Sequence, residues 1–252
     1  MEEQVRYKNI YGETLAGTLH LPDTSSDRGI VLGHCFTCTR HTSILRRIAK
    51  DLSEAGFIVL RFDFSGNGQS QGEFSESTYG KQVTEMETAA DVIASHGAAW
   101  IGMAGHSMGG LISFLTAAQN ENVKAVCTVG SRISGMKVTG FLSRTQREIL
   151  EKTGEVTFTS RGRFLKITEE FYTDADRFDM PQILRSFDKP LLMVHGDQDE
   201  IIPVGEAYKA RDMSSGGARL KVISGADHMF SREEDRQAVS QLVVEWFKNQ
   251  IN

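Results

Sequence analysis

Apolar and polar positions alternate from Gln4 to Leu21 around Tyr11 and Gly12, a two-residue period that predicts an antiparallel hairpin. The period then changes. Residues 29–33 form a short apolar run, and Ile44, Ile48, Leu52 and Ala55 recur at helical spacing until Gly56 supplies a stop. The same alternation repeats with a strand at 57–62, a Gly-rich loop at 65–70 and a helical stretch through Val83, Met86, Ala90 and Ile93. It continues through a strand at 101–105, a helix at 108–119 and strands at 123–129 and 191–195. A helix at 205–213, a strand at 220–223 and a final helix through Val239, Leu242, Val243 and Trp246 complete it. Strands that alternate with helices predict an α/β fold, with a mostly parallel central sheet covered on both faces.

One stretch breaks the rhythm. Residues 131–187 hold a helical piece at 141–152 and then two short runs, 156–159 and 164–167, that read as a hairpin with Gly162 in its turn. No linker-like shift in composition surrounds it, so 1–252 is expected to be one domain with 131–187 inserted as a cap.

Composition narrows the function classes. The 252 residues carry 28 Lys plus Arg against 33 Asp plus Glu, a formal charge of −5, which lacks the basic excess of a nucleic-acid binder. No segment approaches the ~18 uninterrupted apolar residues of a membrane span. The start, Met-Glu-Glu-Gln, lacks the features of a secretory signal, and the three Cys cannot all pair with one another. A cytoplasmic protein without nucleic-acid or membrane partners is the expectation.

The candidate chemistry begins at Gly105-His106-Ser107-Met108-Gly109. An apolar strand enters this G-x-S-x-G motif and a helix-compatible run leaves it, the context of a nucleophile elbow that exposes Ser107. A serine hydroxyl needs an imidazole to take its proton and a carboxylate to orient that imidazole. The order in such folds is Ser, acid, His. After the strand at 191–195 come Asp197 and Asp199, and His228 is the one histidine of seven that follows them. Both aspartates are close enough to that strand to be the acid.

On these motifs the chain resembles the α/β-hydrolases from its first hairpin to its last helix. It is most similar to small cinnamoyl or feruloyl esterase-like carboxylesterases and to hydrolase modules fused to peroxidase-like domains. The family pattern His-Gly-x-x-Asp-x-x-Val/Ile-Pro, here His195 to Pro203, assigns the acid to Asp199. The resemblance also implies an oxyanion hole built from the backbone N–H groups of Phe36 and Met108. Most relatives carry Gly where this chain has Cys35. It further implies that His34 and His106 shape their loops and that 63–70 is a structural turn, although Gly66-x-Gly68 superficially suggests a dinucleotide site.

The implied activity is hydrolysis of small carboxylic esters through Ser107, His228 and Asp199, with no cofactor and no metal. Aromatic residues of the cap, Phe164 and Phe171 among them, are candidates to line the substrate pocket and to favour small aromatic or short to medium acyl groups. An aminopeptidase, an acyl-peptide hydrolase or a thioesterase would use the same triad. A different class remains for Cys35-x-x-Cys38, which with His41 could serve as a thiol-redox pair or a metal site. Cys127, inside an apolar strand, is expected to be a buried core residue.

Overall fold

A computed structural model describes residues 1–136 and 141–251; residues 137–140 of the cap and residue 252 of the 1–252 domain range lie outside the described residues. The opening hairpin pairs β1 (Glu2–Lys8) with β2 (Thr14–His20). There follow β3 (Arg28–Gly33), α1 (Ser43–Glu54), β4 (Ile58–Phe62), α2 (Tyr79–Ser95), β5 (Trp100–His106), α3 (Met108–Gln119) and β6 (Val123–Val129). The cap contributes α4 (Arg144–Thr153), β7 (Glu155–Ser160), β8 (Arg163–Thr168), α5 (Glu169–Ala175) and α6 (Met180–Ser186). The chain then returns to the sheet with β9 (Leu191–Gly196), α7 (Gly205–Met213), β10 (Arg219–Ile223) and α8 (Glu233–Asn249).

The central sheet has the order β1-β2-β4-β3-β5-β6-β9-β10. From β4 to β10 every pairing is parallel, while β1 and β2 run antiparallel at one edge. Two apolar cores flank it. On one face Ile44, Leu45, Ile48 and Leu52 of α1 meet Val239, Val243, Trp246 and Phe247 of α8. On the other, Val83, Met86 and Ile93 of α2 and Leu111 and Leu115 of α3 continue without interruption into Leu150, Val156, Phe158, Leu165, Ile167 and Phe171 of the cap. The cap thus shares its core with the sheet.

Within the cap, the helical piece starts three residues later than the apolar pattern suggests. Ser143 accepts from the Gln146 amide and the Gln146 side chain bonds back to the Ser143 amide, a capping box that fixes the start. Gly154, at φ 76°, ends it. The hairpin is as the sequence predicts, with Arg161 (φ 52°) and Gly162 (φ 73°) both left-handed, the backbone that a two-residue turn demands. Its alternation turns Val156, Phe158, Leu165 and Ile167 inward. The helices α5 and α6, seven residues each, are additions that the hydrophobic pattern does not announce.

Candidate active site

Parallel strands deliver their loops to one edge of the sheet, and β3, β5, β9 and β10 each end there. At the end of β5, Ser107 takes φ 55° and ψ −118°, a strained conformation for a residue with a side chain. The flanking glycines make the turn possible: a Cβ on Gly105 would lie 2.2 Å from the Gly109 carbonyl carbon, and one on Gly109 would lie 2.1 Å from the Gly33 oxygen. The Ser107 amide donates to the Val129 carbonyl at 2.8 Å, which fixes the elbow to β6. Ser107 itself is half-buried and Met108 opens α3.

The acid and the histidine meet across β9 and β10. His228 Nδ1 lies 2.8 Å from Asp199 Oδ2, and both residues are buried. Asp199 Oδ1 accepts the amides of Ile201 (3.0 Å) and Ile202 (2.7 Å), while His195 Nε2 stands 3.2 Å from Oδ2. Burial opposes ionisation of this carboxyl, but the hydrogen bonds from His195 and His228 outweigh it and hold Asp199 well below the usual carboxylate range. Asp197, two residues earlier, turns elsewhere: its Oδ1 accepts the Gly225 amide at 2.6 Å and so ties the β9 turn to the loop that carries His228.

His106, the residue before the candidate nucleophile, connects the two halves. Its Nε2 is 2.8 Å from the His228 carbonyl and its ring centroid is 5.0 Å from that of His228. A carbonyl only accepts, so Nε2 carries the proton. Burial, helped by the positive charge that His228 would carry, lowers the pKa of His106 to about 3, and the ring stays neutral. The elbow therefore holds the backbone of the histidine loop through its own neighbour. Ser107 Oγ makes no hydrogen bond to His228 among the described residues.

The loop after β3 supplies the third part. His34 Nε2 accepts the Phe64 amide at 3.0 Å, so its Nδ1 donates to the Cys35 carbonyl at 2.7 Å. Cys35 and Cys38 are joined as a disulfide with Cα atoms 5.1 Å apart, bracketing Phe36 in a tight turn, whereas Cys127 is free and buried. Neither bridged sulfur is a thiolate ligand in this state, and among the described residues no group of three His, Cys, Asp or Glu side chains is arranged for a metal. The Phe36 ring meets Phe74 (5.1 Å), Phe141 (5.1 Å) and Phe171 (5.3 Å), so the cap presses on the proposed oxyanion loop.

The two cap candidates part company. Phe171 is 1% exposed and also packs on Tyr79 at 4.8 Å. Phe164 is 84% exposed, on the outward side of β8 opposite Thr159, and the expectation that it lines a pocket does not hold. The period-two pattern is the reason: Leu165 and Ile167 face in, which sends Phe164 out. The sequence places His195 only as the first residue of the pattern that runs to Pro203, and the structure sets its ring on Asp199. The usable signal was its position immediately ahead of the acid turn.

The fold and its elbow define an α/β-hydrolase. The chain belongs to the serine aminopeptidase S33 family, whose model matches residues 27–158, just over half of its length. A relative of 32% identity, covering 95% of this chain and 97% of its own, is an uncharacterized 31.7 kDa protein of the traX-finO intergenic region of Escherichia coli. The monoacylglycerol lipase of Mycolicibacterium smegmatis is 23% identical over 97% of this chain and 96% of its own. Among solved structures, Est1E from Butyrivibrio proteoclasticus with ferulic acid bound superposes with a TM-score of 0.84 at 25% identity, covering 98% of this chain and 99% of that one. No helix among the described residues is long and apolar enough to cross a membrane.

Proposed function

We propose that this hydrolase cleaves small carboxylic esters through Ser107, His228 and Asp199. The observation that carries the reading is the 2.8 Å bond between His228 and a carboxylate held ionised by its surroundings, on a loop that His106 fastens to the serine elbow. In this mechanism Ser107 Oγ attacks the acyl carbon while His228 Nε2 takes the hydroxyl proton. Asp199 keeps the Nδ1–H tautomer and stabilises the imidazolium. The Phe36 and Met108 amides receive the developing oxyanion. His228 then gives its proton to the departing alcohol, and a water molecule, activated by the same imidazole, releases the acid from Ser107.

The half-buried rings of Phe36 and Phe141, 5.1 Å apart beside the oxyanion loop, support a preference for small aromatic or short to medium acyl groups, while Phe74, Phe158 and Phe171 pack behind them as core. The relative with ferulic acid bound is in keeping with an aromatic acyl group, and the lipase among the relatives with ester hydrolysis in general. A panel of 4-nitrophenyl and feruloyl esters, acyl thioesters and aminoacyl anilides, run beside fluorophosphonate labelling, tests it. Labelling at Ser107 with ester turnover is the expected result. Faster turnover of aminoacyl anilides would move the assignment to an aminopeptidase, and faster turnover of thioesters to a thioesterase.

A further inference from the structure

An open cleft of about 540 Å³ is lined by chain neighbours of Phe36 and His228. Thr37 and Cys38 of the oxyanion loop line one side and Met229, the neighbour of His228, lines another. Arg161, Arg163 and Arg236 border it as well, and among the described residues no carboxylate does. In a chain of net charge −5 such a concentration of cations is local.

The three arginines differ. Arg236 is already neutralised: it pairs with Glu233 at 2.8 Å and donates to the Phe230 carbonyl at 3.0 Å. Arg161 and Arg163 have no carboxylate within 4 Å among the described residues. Arg163 donates to Asn67 Oδ1 at 3.3 Å, and Arg161 Nη2 rests 3.5 Å from Met229 Sδ. Their turn is not adrift, because Ser160 Oγ is bonded to Thr37 Oγ1 at 2.8 Å, which fastens the hairpin to the oxyanion loop. Their charge also reaches the site. Burial is the main reason that His106 and His34 resist protonation, and the positive charges of Arg161 and Arg163 respectively add to it.

We propose that this cleft is a leaving-group subsite that takes an anionic group, a carboxylate or a phosphate, carried by the alcohol portion of the ester. The assignment rests on the hydrolase reading above. His228 must protonate the departing oxygen, so the alcohol leaves past the histidine loop, and Met229 and Ser231 of that loop, with Arg236 of α8, line the cleft. Two arginines without acid partners at its mouth supply paired N–H donors suited to a planar carboxylate or a phosphate.

The test compares 4-acetoxybenzoate and 4-acetoxyphenyl phosphate with neutral 4-acetoxybenzamide. The wild type is expected to favour at least one of the anions, and Arg161→Gln with Arg163→Gln should reduce the anionic-to-neutral ratio of kcat/KM about ten-fold to a hundred-fold, mostly through KM. The Arg161→Lys, Arg163→Lys pair should retain part of the ratio. Which anion responds separates a carboxylate from a phosphate ligand. A ratio that the glutamine pair leaves unchanged overturns the proposal, as does a wild type with no anionic preference. Calorimetric titration of 4-hydroxybenzoate and of inorganic phosphate into the Ser107→Ala protein, with and without the glutamine pair, does not depend on turnover. Binding of at least one ligand that weakens about ten-fold in the pair supports the cleft even if no ester is cleaved, in which case the hydrolase reading fails alone; no binding of either ligand overturns the cleft.

Discussion

Asp199 and Arg161 both sit in turns beside the same site, yet they are held by opposite means. Asp199 is 7% exposed, and its two oxygens are engaged by two backbone amides and two imidazoles. Arg161 is exposed at the tip of a hairpin, with a methionine sulfur as its neighbour. The sheet-edge loops fix geometry through backbone bonds, so their side chains are set before substrate arrives. The cap fixes its strands through Val156, Phe158, Leu165 and Ile167 and leaves its tip polar, with Arg161 and Arg163 lacking a carboxylate partner among the described residues. Chemistry needs the first arrangement and substrate choice can use the second.

The largest effect that would separate the two regions is expected at Ser107. Ser107→Ala should lower ester turnover by about 10⁴ to 10⁶ while thermal unfolding stays near that of the wild type; substantial turnover by the folded variant would remove the nucleophile assignment. Asp199→Asn comes next, with a loss of up to about 10⁴, because the amide would favour the wrong imidazole tautomer. Asp197→Asn, which affects the bonds to Gly225 and Gln198 and none to His228, should be much milder, and a rate comparison of the two variants decides between them.

A cap substitution is expected to act through packing. Phe171→Ala removes a ring that touches Phe36, Tyr79 and Tyr172, and should destabilise the fold by about 3 to 5 kcal/mol in chemical denaturation, with all substrates affected. If stability is retained and only the ranking of esters changes, Phe171 is a pocket residue and not cap core.

Acid sharpens the contrast further, since the cap at 131–187 contains none of the seven histidines. Burial lowers His106 to about 3 and His20 to about 4 in the folded protein. The unfolded chain takes up these protons as pH falls below about 6.5, whereas the folded chain does not until far lower. Stability from these neutral rings is therefore complete above about pH 6.5 and is lost progressively as pH falls towards 4 and 3, by an amount on the order of a few kcal/mol. Denaturation midpoints measured from pH 7 to 4 should fall, and less steeply in His20→Gln. The smallest effect is expected at Phe164→Ala, within about 0.5 kcal/mol of the wild type, because the ring is already in solvent.

The sheet and its flanking helices were legible because each repeats a period long enough to read: α3 spans 108–119 and β6 spans 123–129, as the pattern predicts. The elbow was legible too, since its glycines are demanded by backbone approach and stand within five residues. By itself the sequence also narrowed the candidate histidine to His228, since no other histidine follows Asp197 and Asp199. The short helices α5 and α6 were not visible, because seven residues hold too few turns for a helical period to recur.

What only the tertiary structure decided concerns direction and company. Asp197 and Asp199 are two residues apart after the same strand, and the turn sends one to Gly225 and the other to His228. Phe164 and Phe171 are both cap phenylalanines, and one faces water while the other faces Phe36. The bond from His106 to the His228 carbonyl spans 122 residues. Local periodicity records which face of an element is apolar. It carries no record of which distant loop a polar atom will meet, because that depends on how strands far apart in the chain become neighbours in the sheet.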